Sequence, residues 1–241
     1  MPVFDGSEKI IGRGAQAVVY HWQGFAYKVY PDQYPKEWIQ HELQVQDVVG
    51  KLNLPVVKYE STDDPCVIKM GYIDGLTLAD RIRHEGYKRG VEDMIKLQKL
   101  IHQHKDLQLP DLKQYARYDL DHMTIEATQR EKALACLADI PDQSNLLHFD
   151  FHFLNILYAQ DQYYVIDWIN ARLGHPVFDY ARSFVILNEF AYRLGQKYLS
   201  LIGRDKDLDL ADLNKAIYVM ALLRTRERTS EATVKLIHEK F

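Results

Sequence analysis

Cysteine is nearly absent: Cys66 and Cys136 are the two in 241 residues. Two cysteines build neither a disulfide framework nor a cysteine zinc site, and they fit a reducing compartment. No apolar run approaches the ~20 residues that a bilayer span needs. The N-terminus MPVFDGSEKIIG has no basic segment followed by an apolar one. There is no basic block either: 34 acidic and 30 basic residues are spread along the chain for a net charge of −4. That pattern argues against a nucleic-acid or membrane-surface partner. Glycine- or proline-rich tracts and internal repeats are also lacking, which removes the disordered and fibrous classes. The expectation is a soluble, cytoplasmic protein, long enough for one domain or two lobes sharing a cleft. Its oligomeric state is not legible.

What is present is periodicity that changes along the chain. Residues 8–30 hold three short runs rich in Val, Ile, Tyr and Phe, punctuated by Gly12, Gly14 and Gly24, which predicts an antiparallel meander. After Pro35 the apolar spacing becomes helical to about Lys51. VVKYE (56–60) and CVIKMGY (66–72) predict two more strands around an Asp63-Asp64-Pro65 turn. Helices are then expected near 91–106, 121–139, 177–202, 209–223 and 230–241. Only HFDFHFLNILY and YYVIDW among them look extended. The order predicts an α+β fold: a small antiparallel-sheet N-lobe with one helix over 1–71, then a mostly helical C-lobe over 72–241.

The segment LLHFDFHFLNIL (146–157) poses the chemical question. In a strand, His148, Asp150 and His152 would project from one face and Phe149, Phe151 and Phe153 from the other. That set could ligate a metal, or it could present one carboxylate with the histidines as scaffolding. Asn155 follows Asp150 by five residues, and Asp167 ends the run YYVID. A carboxylate, an amide oxygen and a second carboxylate form a hard-oxygen set suited to magnesium, with one acid left to receive a hydroxyl proton. Upstream, Gly12 and Gly14 lie in a turn where backbone amides could approach a phosphate, although Ala17 stands where a third glycine would be. Lys28, in AYKVY, sits among apolar neighbours. Glu42 falls on the inward face of its helix with Ile39, Val45 and Val49, so each needs the other as a partner; Glu37 is the competitor.

Together, IGRGAQAVVY, AYKVY, HFDFHFLNIL, VIDW and GHPVFDYAR resemble the aminoglycoside phosphotransferase and choline kinase-like family, small-molecule kinases with a bilobal protein kinase-like fold. The likeness runs from about residue 10 to 185 and is densest over 146–182. It implies ATP and Mg2+ as cofactors and a small hydroxyl compound as the partner. By this resemblance Asp150 is the catalytic aspartate, and Asn155 and Asp167 are magnesium ligands. Lys28 holds the α- and β-phosphates and is positioned by Glu42. The stretch Gly12, Gly14 to Ala17 covers the triphosphate, and Met70, Gly71, Tyr72 and Ile73 meet the adenine. Asp179 braces the catalytic loop. Phe149 departs from the glycine of the family's H-G-D motif, and Phe153-Leu154 from its Pro-Gly.

Only ten residues separate Asp167 from Phe178 and no A-P-E follows, so neither a peptide platform nor an activation segment is expected. Asp119, Asp121, Glu126, Glu189 and the run Asp205-Asp207-Asp209-Asp212 could receive a cationic amine, and are left unassigned. Two other readings are carried: a nucleotide-binding interaction module without turnover, and a His/Asp metal-dependent hydrolase.

Overall fold

The computed structural model describes residues 4–14 and 16–239. Ala15, inside the expected glycine turn, and Lys240 and Phe241, at the end of the last expected helix, lie outside the described residues. In chain order the elements are β1 (Lys9–Arg13), β2 (Val18–Trp22), β3 (Phe25–Val29), α1 (Lys36–Val49), β4 (Tyr59–Ser61), β5 (Val67–Gly71) and β6 (Leu76–Thr77). There follow α2 (Leu78–His84), α3 (Gly90–Ile101), α4 (Leu112–His122), α5 (Ala127–Asp139), β7 (Asn145–Leu147), β8 (Ile156–Ala159), β9 (Gln162–Val165) and β10 (Arg172–Gly174). Four helices close the chain: α6 (Pro176–Phe190), α7 (Tyr192–Ile202), α8 (Leu210–Glu227) and α9 (Glu231–Glu239). The fold is α+β, an antiparallel N-terminal sheet followed by a helical part. No helix among the described residues is long and apolar enough to cross a membrane.

The chain divides into two compact units. One runs to Leu78 and also takes in Ile156–Ile169; the other is Ala79–Asn155 with the chain from Asn170 onward. In the first, five strands pair in the order β1-β2-β3-β5-β4, all antiparallel. A second sheet, β6-β8-β9, belongs to the same unit. Its Tyr164 and Ile166 pack on the cluster of Ala26, Tyr30, Ile39, Ile68 and Met70. That apolar packing is why a hairpin more than eighty residues downstream in sequence joins the N-terminal sheet. Gly75 makes the close approach possible: a Cβ there would lie 2.3 Å from the Tyr158 carbonyl oxygen.

In the second unit α6 is buried nearly all round, from Val177 to Asn188, as a central helix must be. Full burial of side chains such as Phe178 and Phe184 stabilises by about 1.5–3 kcal/mol each. Two expected helices are in fact broken. The helix expected over 177–202 ends at Phe190, and Ala191 (φ −148°, ψ 56°) separates it from α7. Gly195 then meets the end of α6 so closely that a Cβ would sit 2.9 Å from the Asn188 nitrogen. Of the helix expected over 121–139, α5 forms over 127–139, while Asp121 and His122 end α4, which was not expected. Asp111 caps the start of α4 by accepting the Gln114 N–H at 2.8 Å. Arg130 ends it, donating to the Leu120 and Met123 carbonyls at 2.9 Å each. Apolar periodicity alone does not register such caps.

Candidate active site

In the sheet unit, β3 places Lys28 between Val19 and Ile68 of its neighbouring strands. Strand alternation puts Ala26, Lys28 and Tyr30 on one face, toward Glu42 of α1. Lys28 Nζ lies 2.8 Å from Glu42 Oε1 and 3.3 Å from Asp167 Oδ1. Glu42 is 1% exposed, whereas the Asp167 side chain is 40% exposed. Burial pulls the lysine toward neutrality, and the Asp167 and Glu42 carboxylates more than offset this, so its proton is held well above the ordinary range. Glu42 is further fixed by the Tyr30 hydroxyl, which donates to Oε2. Glu37, the competing partner, is solvent-exposed on the first turn of α1. Asp167 occupies the left-handed region at φ 64°, a conformation that costs a non-glycine residue about 1–3 kcal/mol.

The other expected nucleotide residues lie in the same unit. Gly12 stands opposite Val19, just past an irregularity in the β1–β2 register. The Gly14 N–H donates to the Ala17 carbonyl at 2.9 Å, which closes the turn. Met70 and Gly71 end β5 opposite Ala26 and Phe25. The Gly71 N–H is spent on the Lys58 carbonyl, and Tyr72 stacks on His21 at 3.8 Å. Ile73 packs against the sheet core.

In the helical unit the segment after β7 is not the strand the sequence suggested. His148 to His152 form a loop, and Phe153–Asn155 a 3-10 turn. Phe149, at φ 62°, reverses the chain, so the aromatic and polar positions do not segregate to two faces. The physical cause is a buried acceptor. Asp179, at the start of α6, receives the Phe149 N–H at 2.8 Å and a hydrogen bond from Gln98 Nε2 at 3.0 Å, with His102 Nε2 at 2.8 Å. Ser183 donates to the Phe151 carbonyl at 2.8 Å. Phe149, Phe151 and Phe153 are all buried, which makes them core of the loop.

This geometry presents Asp150 as a partly exposed carboxylate. Burial pushes its pKa up, but the hydrogen bond and charge of His152, then Arg182 and His148, hold it at about 2. His148 Nδ1 accepts the Asp150 N–H at 3.3 Å, His152 Nδ1 accepts the Leu154 N–H at 3.3 Å, and His152 Nε2 lies 3.7 Å from Asp150 Oδ2. The loop therefore denies the three groups the common face that a metal-hydrolase reading required. Among the described residues, no three His, Cys, Asp or Glu side chains are grouped to hold a metal ion. Asn155 uses Nδ2 on the Asp150 carbonyl at 2.9 Å, which leaves its amide oxygen as a donor to a hard cation.

Five of the acidic residues left unassigned by sequence are engaged. Asp119 pairs with Arg226, Glu189 with Arg224 and Arg228, Asp205 with Lys99, and Asp212 with Lys215. Asp209 caps α8.

Residues 8–208 match the model of the phosphotransferase enzyme family. The chain belongs to the phosphotransferase enzyme family. Among solved structures it resembles the aminoglycoside phosphotransferase APH(4)-Ia, with 14% identity over 98% of this chain and 90% of that one and a TM-score of 0.68. It also resembles the choline kinase LicA from Streptococcus pneumoniae, with 16% identity over 97% and 91% and a TM-score of 0.67. A choline/ethanolamine kinase family protein from Mesorhizobium loti gives 12% identity over 100% and 87%, with a TM-score of 0.64. At these identities the likeness establishes the fold, which is the kinase-like one expected. No curated protein matches the chain in sequence.

Sequence reasoning about this phosphotransferase-family chain overlooked Tyr30 as a partner of Glu42, although its place two residues after Lys28 on one strand face was a usable signal. It also overlooked the buried arginines Arg172 and Arg182. Arg182 lies one helical turn after Asp179, the spacing that brings side chains to one face.

Proposed function

We propose that this protein is an ATP-dependent phosphotransferase that moves the γ-phosphoryl group to a hydroxyl of a small molecule. The observation that carries the reading is Lys28 Nζ held between the buried Glu42 and the open Asp167. An ammonium fixed by one carboxylate and facing a second, accessible one is prepared for phosphate oxygens on one side and a cation on the other. Glu42 and Tyr30 keep Lys28 in place as phosphate enters, and the turn from Gly12 to Ala17 covers the triphosphate. Met70 to Ile73 border the adenine. Magnesium, when bound, neutralises phosphate charge and orients the transferring group. Asp167 offers it a carboxylate and Asn155 an amide oxygen.

Asp150 receives the acceptor. With its pKa at about 2, it is ionised at neutral pH and a weak base, so its first task is to accept a hydrogen bond from the hydroxyl and aim that oxygen. As the bond from acceptor oxygen to γ-phosphorus forms, the bond to the bridging oxygen breaks. ADP departs, and the hydroxyl proton passes to the Asp150 carboxylate. The absence of an activation segment favours a small acceptor over a peptide.

Calorimetry on two variants tests this division of labour. Asp167→Ala should abolish the magnesium dependence of ATP binding, while Asp150→Ala should leave nucleotide affinity within about twofold. Unchanged, equal affinities in both variants would remove the metal assignment.

A further inference from the structure

The helical unit contains a group of arginines, most of them paired with carboxylates. Arg182 Nη2 donates to both oxygens of Glu227 at 2.6 and 2.7 Å. Arg224 reaches Glu227 and Glu189, Arg228 reaches Glu189, and Arg226 holds Asp119. Arg172, on β10, has no such partner. It is 8% exposed, its Nη1 donates only to its neighbour's carbonyl at Ala171, and its Nε is buried without a partner. Its guanidinium lies 4.6 Å over the Tyr115 ring. A guanidinium keeps its charge under protein conditions. Burial lowers its pKa against the weaker opposing effects of Tyr115 and of Asp119, whose carboxylate Arg226 already holds. A guanidinium buried with no ion pair of its own is costly, and an arriving anion relieves that cost.

Arg172 lies beside the loop that carries Asp150. It pairs with Leu147, three residues before Asp150. Tyr115, beneath the guanidinium, meets the Phe149 ring at 6.0 Å, and Phe149 adjoins Asp150. Arg182 lies 5.5 Å over the Phe149 ring, and its charge is felt at Asp150. Asp119 and Glu189, the buried carboxylates that could have received an ammonium, are already taken by arginines. Asp121 and Glu126 are exposed.

We infer that the acceptor carries an oxyanion, carboxylate or phosphate, in the same molecule as its hydroxyl, and that Arg172 receives it. The inference rests on the phosphotransferase reading and narrows the acceptor to hydroxy acids or phosphorylated alcohols, away from polycationic antibiotics and choline-like amines. A planar fork over a tyrosine ring suits the paired oxygens of either oxyanion.

The test has a turnover arm and a binding arm. In the first, ADP release is measured with glycerate and glycerol 3-phosphate against choline and kanamycin. The anionic acceptors should be preferred, which of the two identifies the oxyanion, and Arg172→Gln should lower kcat/KM for the preferred one at least about tenfold, chiefly through KM. Preference for the cationic alcohols, or an unchanged KM in Arg172→Gln, overturns the proposal.

The binding arm needs no turnover. With ADP and magnesium saturating, sulfate should raise the melting temperature of the wild-type protein more than that of Arg172→Gln. Equal shifts overturn the proposal. If the Gln variant does not fold, Arg172→Lys keeps the charge without the fork, and should still show the smaller sulfate shift. Failure to bind ADP would instead strike the phosphotransferase reading, and the wild-type and variant responses to sulfate would still decide the role of Arg172.

Discussion

Asp179 accepts the backbone N–H of Phe149 at 2.8 Å, across thirty positions of chain. The bond fixes a phenylalanine in the left-handed region, where a glycine would sit without strain, and so sets the direction in which Asp150 leaves the loop. Asp179 is fully buried, and although burial pushes its pKa up, the hydrogen bond and charge of His102, the Gln98 hydrogen bond and the charge of His148 bring it below the ordinary value. Asp179→Ala should cost about 3–5 kcal/mol, as expected when one member of a buried charged network is removed, and should depress turnover as well. Urea denaturation measures the first effect; a loss below about 1 kcal/mol would mean the bond does not hold the loop.

Lys28 and Glu42 should behave as a coupled pair, because removing either leaves a charge without its partner in a low-dielectric setting. In a double-mutant cycle on turnover, the loss in Lys28→Ala/Glu42→Ala should be clearly smaller than the product of the single losses. Multiplicative losses would mean that the 2.8 Å contact has no consequence for activity.

The pH dependence follows from Asp150. Its folded pKa, about 2, lies below that of an unfolded aspartate, about 3.9. The stability its ionised form contributes is therefore complete above about pH 4 and lost as pH falls through about 2. Protonation of Asp150 should leave the kcat/KM profile flat between pH 5 and 7. His152 is the largest influence lowering that pKa, so His152→Ala should move the acid limb upward, toward ordinary carboxylate values. A limb that does not move would separate His152 from Asp150.

Much of this was legible in the sequence because it depends on local spacing. The meander shows in alternating Val, Ile and Tyr runs, and Glu42 shows as a carboxylate in phase with Ile39, Val45 and Val49. The left-handed turn at Phe149 was not legible, since its cause, Asp179, lies thirty residues away and propensity argues for a strand. The breaks at Ala191 and Met123 were missed for a similar reason. Gly195 against Asn188 and Arg130 on the α4 carbonyls are tertiary contacts, and apolar periodicity runs straight through both sites. Arg172 was invisible because nothing in its neighbours' identities marks an arginine as buried.

The central claim, phosphoryl transfer to a hydroxyl aimed by Asp150, is tested most directly by Asp150→Asn. The amide keeps the side chain's shape but accepts the hydroxyl proton poorly, so fold and ATP affinity should persist while acceptor-dependent ADP formation falls roughly 10²-fold or more. Some activity should remain, because positioning and charge neutralisation survive. Full activity in Asp150→Asn, with an inactive His152→Ala, would contradict the account.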